Sequence, residues 1–258
     1  MEYLVFRLYG PMASWGQAAV GGDRPTAMAP GRAAIIGLLG AALGVKRDDE
    51  AGQQRLFDII VVAVKQLGAG TLLRDYHTVQ APSTDKKFTH YSRKSELAGP
   101  KEKLNTVLSS RHYRQDGVWV VAISLSQHSA ELTLEYLQAK LQRPVFPLYL
   151  GRKSCPPALP LTPMLVSTDH LKNALDTDFP AIVGNEVGND VRTGVTTDRY
   201  WLGMGKQATY YWQGELVDLD GEHHDDTLTY HPWDDPISRS RWQFGQRRQH
   251  QLTLMEDR

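Results

Sequence analysis

The stretch from Phe6 to Asp49 limits the possible folds more than any other part of this chain. A β-type run (Tyr3, Leu4, Val5, Phe6, Leu8) leads into a loop punctuated by Gly10, Gly16, Gly21, Gly22 and Gly31, and the pattern then predicts a small-residue helix over 32–44. Apolar side chains at Ile35, Ile36, Leu38, Leu39, Ala42 and Leu43 give that helix one buried face. Gly37, Gly40 and Gly44 each lower helix propensity by about 1 kcal/mol where exposed. They are therefore expected to let the helix pack closely on a sheet, with Gly44 also ending it ahead of Lys46–Arg47. The loop before the helix is longer than a packed connection needs. Glycine-rich backbone can approach a ligand closely, and here it carries Trp15, Gln17, Arg24 and Arg32.

Further along, a polar-starting helix is expected over 48–58, followed by a β-branched strand at Ile59–Val64 and an extended segment at Thr71–Val79. Residues 80–116 have no sustained apolar period and contain Pro82, Gly99 and Pro100, so they read as a protruding arm or long hairpin. Val118–Leu125 is a central strand, 130–141 a helix with Leu134, Leu137 and Leu141 on one face, and Leu161–Val166 the next strand. Strand, helix, strand, excursion, strand, helix, strand is the order of an α+β, ferredoxin-like (RRM-like) βαββαβ domain over residues 1–166, with the basic arm at 80–116. Beyond residue 167 a short helix near 168–175 and strands near 209–219 and 241–254 suggest a small β-rich C-terminal unit, 167–258.

With 258 residues, 41% hydrophobic and 22% charged, the chain has the composition of a soluble globular protein. No apolar run approaches the roughly 20 residues of a membrane span, and MEYLVFRLYG lacks a basic, apolar signal sequence, so a cytoplasmic protein without membrane contact is expected. The single cysteine, Cys155, excludes an internal disulfide and any cysteine-only zinc site. Net charge is zero, yet the charge is segregated. Lys86–Arg114 holds eight Lys or Arg against Glu96 and Glu102, a local +6, and Arg239–Arg248 adds four arginines with no acid. Glu215–Asp235 holds eight acids and no Lys or Arg. Such segregation creates one face suited to phosphate and another that repels it.

Three motif blocks, FRLYGPMASWGQ with DRPTAMAPGRAAIIGLLGAALGVKRDD, LRDYHTV at Leu73–Val79, and YLGRKSCPPALPL at Tyr149–Leu161, resemble the CasD family in order and spacing. This is the type I-E CRISPR-associated branch of the RAMP superfamily. The resemblance covers roughly the first 165 residues and implies the same ferredoxin-like fold. It also implies a non-catalytic RNA-binding subunit of the Cascade surveillance complex. Such a subunit grips the 5′ handle of the crRNA, seats the backbone subunit CasC and the large subunit CasA, and meets target DNA only indirectly. Target sequence would be read by base pairing rather than by this protein.

Several residues could carry that role. Trp15 could stack on an unpaired base while Arg24 and Arg32 clamp phosphates beside Gln17; alternatively Trp15 anchors the core and Arg32 merely starts a helix. Arg74–Asp75–Tyr76–His77 is either a structural strand end or an RNA contact through Tyr76 and His77. Gly151 with Arg152, Lys153 and Ser154 forms a turn whose amides and cations suit phosphate. In the arm, Lys86, Lys87, Arg93, Lys94, Arg111 and His112 interleave with Phe88, Tyr91 and Tyr113, and in the family this region resembles a thumb lying across guide RNA and a neighbouring subunit. Cys155 lacks an activating partner and reads as a small buried residue.

No cofactor or metal is expected. His223, His224, Asp225, Asp226 and His231 lack helical HExxH spacing and read as a solvated acidic loop. Gly203–Lys206 lacks P-loop spacing. A rival reading is a metal-independent endoribonuclease processing precursor crRNA, with Tyr76, His77, His112 or Lys153 as general base or cation. Relatives in another CRISPR subtype cut RNA, whereas in type I-E systems the resemblance assigns cleavage to a different subunit, CasE. A third reading is a purely protein-binding scaffold.

Overall fold

The computed structural model describes residues 1–19, 21–83, 89–127, 129, 131–183, 197–238, 241 and 243–256. In chain order the elements are β1 (Glu2–Tyr9), β2 (Asp23–Arg24), α1 (Arg32–Leu43), α2 (Glu50–Ile59), β3 (Ile60–Gly68), β4 (Thr71–Pro82), α3 (Arg93–Leu97), β5 (Leu104–Gln115), β6 (Val118–Leu125) and α4 (Leu134–Gln142). They continue with β7 (Met164–Ser167), α5 (Leu171–Leu175), α6 (Thr197–Trp201), β8 (Gln207–Trp212), β9 (Leu228–Tyr230), β10 (Asp235–Ser238), β11 (Gln243–Gly245) and β12 (Gln249–Met255). The chain is α+β.

A seven-stranded sheet in the order β7-β1-β6-β3-β8-β12-β9 forms the body, and every neighbouring pair is antiparallel. Both faces of its centre are covered, which is why β6 reads as a nearly unbroken apolar run. On one face Leu4, Phe6, Val62, Val121 and Ile123 pack under α1 and α4 through Ile35, Leu39, Leu137 and Leu141. On the other, Val5, Ala63, Val120 and Ala122 meet Tyr210, Trp212 and the α5 residues Leu171, Ala174 and Leu175. The β-rich stretch beyond residue 167 does not stand off as another layer: β8 hydrogen-bonds to β3, and β12 and β9 continue the sheet from there.

Gly44 ends α1 as expected, whereas Gly37 and Gly40 do not pack that helix onto the sheet. Gly37 is exposed with open space beside it, Gly40 lies against Leu56 of α2, and Gly44 ends the helix in the left-handed region at φ 83°. Val145 and Phe146 donate their amides to the carbonyls of Ala42 and Ala41, so the last turn is capped by a tertiary contact. Thr133 caps α4 by accepting from the Tyr136 amide, and Asp49 caps α2 by accepting from Gly52.

Residues 80–116, which have no readable period, contain the end of β4, the short α3 and most of β5. β4 and β5 pair antiparallel from Thr71↔Gln115 to Pro82↔Leu104, and β2 joins β5 in parallel to make a second, three-stranded sheet. Its far end exposes Val79 and Val107 as a cross-strand pair, which explains why the segment carries no core-facing period. Among the described residues no helix is long and apolar enough to cross a membrane.

Candidate nucleic-acid interface

The glycine-rich loop between β1 and α1 is laid along β5. Ala13 and Arg114 exchange backbone hydrogen bonds at 2.8 and 2.7 Å, Ser110 donates to the Gly22 carbonyl at 3.0 Å, and Asp23–Arg24 align with Ser110–Arg111. A third segment closes on the same place. The Ser14 amide donates to Leu150, its hydroxyl donates to the His112 carbonyl, and Gly151 sits at φ 83° with the Ser14 carbonyl oxygen 1.8 Å from where a Cβ would lie. Only glycine fits there. Two of the motif blocks thus meet on β5 as one surface, distant in sequence though they are.

On that surface Arg24 is exposed, its guanidinium donating to the carbonyls of Gly21 and Asp23, while Arg152 stacks on the Tyr113 ring at 4.8 Å and donates to the Arg24 carbonyl at 3.0 Å. Arg111 is exposed beside Arg24 in register, and Lys153, Ser154 and Gln17 are exposed on the neighbouring turns. Among the described residues, Arg24, Arg111 and Lys153 form no ion pair with a carboxylate. Solvated cations held on a rigid ribbon can meet phosphate without first losing an internal partner.

Two expected contacts are corrected. Trp15 is 1% exposed, with its ring edge-on to Trp119 at 5.1 Å, so the indole anchors the loop to the core and offers no face to a base. Arg32 is held by Asp235 at 2.7 Å, by the carbonyls of Phe57 and Ile60, and over the Phe57 ring at 5.1 Å. Burial lowers its pKa and the neighbouring Asp235 works against that shift. It joins α1 to the C-terminal segment and is not a free phosphate clamp. Nothing in the sequence within reach of Arg32 signals this pairing, because Asp235 lies 203 residues away.

Tyr76 and His77 are both exposed, but adjacent strand residues point to opposite faces. Tyr76 pairs across from Ser110 and shares its face with Arg74 and His112; Arg74 donates to the Ser110 hydroxyl at 2.8 Å. His77 contacts Asp75 on the face that carries Arg111 and Tyr113. The general-base candidates Tyr76 and His112 are therefore separated from His77 by the thickness of the ribbon. Cys155 is buried, and burial raises its thiol pKa against the opposing pull of Ser154 and Arg152, so no thiolate nucleophile is poised there.

In the arm, Arg93 pairs with Glu96 at 2.6 Å and donates to the Gln80 carbonyl, while Lys94 is exposed on α3. Lys86 and Lys87 lie outside the described residues. In the acidic C-terminal loop, His224 contacts Asp220 at 2.9 Å and His223 contacts Asp225 at 3.5 Å; among the described residues no group of three or more side chains could hold a metal ion.

The sequence of the CRISPR-associated protein (Cas_Cas5) family matches residues 3–250. The chain belongs to the Cas5 family. It is 36% identical over 168 residues to "CRISPR system Cascade subunit CasD" of Escherichia coli K12, covering 62% of this chain and 69% of that relative. Among solved structures it resembles a chain of a "CRISPR RNA-guided surveillance complex" with a TM-score of 0.63 at 23% identity, over 98% of this chain and 90% of that one. It also resembles the "Crystal structure of Cas protein" with a TM-score of 0.59 at 23% identity, over 99% and 96% of the two chains. Both likenesses are of fold and run over nearly the whole chain.

Proposed function

We propose that this Cas5-family chain is a non-catalytic RNA-binding subunit of a type I-E Cascade complex, gripping the 5′ handle of the crRNA and anchoring the neighbouring subunits CasC and CasA. Target DNA is then met only through the guide. The observation that carries the reading is the gathering of Arg24, Arg111 and Lys153, exposed and without carboxylate partners among the described residues, where the first and third motif blocks meet β5. Phosphate contacts from these cations, with Arg152 behind them and Gln17, His77 and Ser154 alongside, supply affinity; splayed bases of the handle supply the specificity, and Tyr76 faces the other side of the ribbon.

The strands β7-β1-β6-β3 with α1 and α4 fit a ferredoxin-like βαββαβ body, and the ribbon β4–β5 with α3 fits a basic arm lying along RNA and a neighbouring subunit. Arg93 and Lys94 belong to that arm. A cytoplasmic complex is the natural setting for this reading. Separation of His77 from Tyr76 and His112 removes only the pairings that include His77 from the endoribonuclease alternative.

Fluorescence anisotropy with a labelled 5′ handle RNA tests the proposal. Arg24→Glu, Arg111→Glu and Lys153→Glu together should abolish saturable binding while the thermal melt stays in place. Undiminished binding would sink it, and a specific cut of repeat RNA by the purified chain in EDTA would restore the nuclease reading.

A further inference from the structure

The cations Arg24, Arg111 and Lys153 can hold phosphates, but the surface around them offers no free ring. Trp15 is buried, Tyr113 is 7% exposed and lies under Arg152, His77 is engaged with Asp75, and Tyr76 faces the other side of the ribbon. An unpaired base stacks on an aromatic face. Continued past Arg24, the glycine-rich loop leads to one. Arg114 donates to the Ala27 carbonyl at 3.3 Å and the Trp119 indole to the Met28 carbonyl at 2.8 Å, so the loop crosses the base of β5. It then ends against residues 233–235. The Asp234 carboxylate lies 2.6 Å from where a Gly31 Cβ would be, and Arg32 pairs with Asp235 at 2.7 Å. Trp233 stands beside these two aspartates, 60% exposed, with no ring contact among the described residues.

The backbone that carries this indole is fixed on both sides. Arg247, its side chain 8% exposed, grips Asp234 through two nitrogens at 2.6 and 2.9 Å and donates its amide to the Pro232 carbonyl at 3.2 Å. Arg32, 11% exposed, holds Asp235. The two acids adjoining the indole are thereby neutralised, so this end of the acidic stretch does not repel phosphate as its exposed carboxylates do. A ring already held in place loses little freedom on meeting a ligand. Gly31 is seven residues from Arg24, at most about 25 Å along the chain, a span that a few nucleotides of extended strand cover. We propose that Trp233 stacks on an unpaired base of the RNA whose phosphates Arg24, Arg111 and Lys153 hold. The inference rests on the RNA-binding reading and adds a base contact to it.

Fluorescence anisotropy of the purified full chain tests this with handle RNAs, intact or carrying one abasic site at each position in turn. Trp233→Ala should weaken binding of the intact RNA about tenfold with the thermal melt in place, and Trp233→Tyr, which keeps a π-face, should restore most of it. Stacking is not ionic, so the slope of log affinity against log salt should stay as it is in the parent chain. One abasic position should cost the parent chain the same factor and cost Trp233→Ala nothing further. Unchanged affinity in Trp233→Ala, a shallower salt slope, a Tyr variant as weak as the Ala variant, or abasic costs that match in the two chains would each overturn the stacking contact. So would a Trp233→Ala chain that loses a protein partner and keeps its RNA. Binding that survives charge reversal of Arg24, Arg111 and Lys153 would sink the functional reading; binding lost there but undiminished in Trp233→Ala would sink the stacking inference alone.

Discussion

The ribbon surface and the back of the main sheet carry the same residue types and use them in opposite ways. Behind the sheet, Lys65 is 6% exposed, its ammonium bound to Asp176 at 2.7 Å and to Glu256. Lys172 and the Tyr210 hydroxyl also reach Asp176, each at 2.7 Å, and Arg199 reaches Glu256. Arg247 likewise grips Asp234 through two nitrogens at 2.6 and 2.9 Å. On the ribbon, Arg24 and Arg111 stand in water. A cation already neutralised by a buried carboxylate is a structural tie, because removing it from that partner leaves an uncompensated charge. A solvated cation remains available to a ligand.

That contrast can be broken most forcefully at Lys65. Lys65→Ala removes the cation that Asp176 and Glu256 share, leaving the first to Lys172 and Tyr210 and the second to Arg199, and should destabilise the fold by about 3 kcal/mol, read by urea denaturation; a loss no larger than that of a surface substitution would erase the distinction. Asp176 gives the next effect. Burial tends to raise its pKa, but hydrogen bonds from Lys172, Lys65 and Tyr210 prevail and hold it below the ordinary aspartate range. A folded-state pKa below the unfolded one means that this carboxylate stabilises the fold above about pH 4, and that the contribution is lost as pH falls through the depressed folded value. Asp176→Asn should lower stability at neutral pH and flatten the decline of stability below about pH 4, measured as midpoint against pH.

Neutralising Arg24, Arg111 and Lys153 to Ala should leave stability nearly untouched. It should instead make the slope of log affinity for handle RNA against log salt shallower by about 2. An unchanged slope would place the RNA elsewhere. The smallest effect belongs to Arg248–Glu215, paired at 2.8 Å but with side chains 48% and 73% exposed. Solvent screens such a pair, so Arg248→Ala should cost less than about 1 kcal/mol; a larger loss in the same urea titration would mean that exposed pairs here also act as structural ties.

Much of the fold was legible in local pattern. Val118–Leu125 reads as a central strand from its unbroken apolar run and is one, and the helix expected over 32–44 corresponds to α1. Strands read near 209–219 and 241–254 overlap β8, β11 and β12, whereas β9 and β10 carry no readable pattern; the place of β8, β12 and β9 in the main sheet was not legible either, because edge pairing with β3 leaves no mark in spacing. At the site, Arg24, Lys153 and Ser154 stand exposed as the glycine loops suggested. Trp15 misled because a tryptophan in a glycine-rich loop has the same sequence signature whether its ring faces a ligand or Trp119. Lys65 sits within a strand and gives no hint of the carboxylates that reach it from distant segments.

The sequence alone therefore determined the strands and helices with an apolar period, such as α1, β3, β6 and α4, the segregation of charge and the family to which the motifs point, since each depends on neighbours in the chain. Tertiary structure decided which cations are spent on internal carboxylates and which stay in water, and which strands stand side by side in the main sheet. Pairing joins residues as far apart as Arg32 and Asp235, separated by 203 positions, and the energy of a charge depends on burial and partner rather than on sequence context.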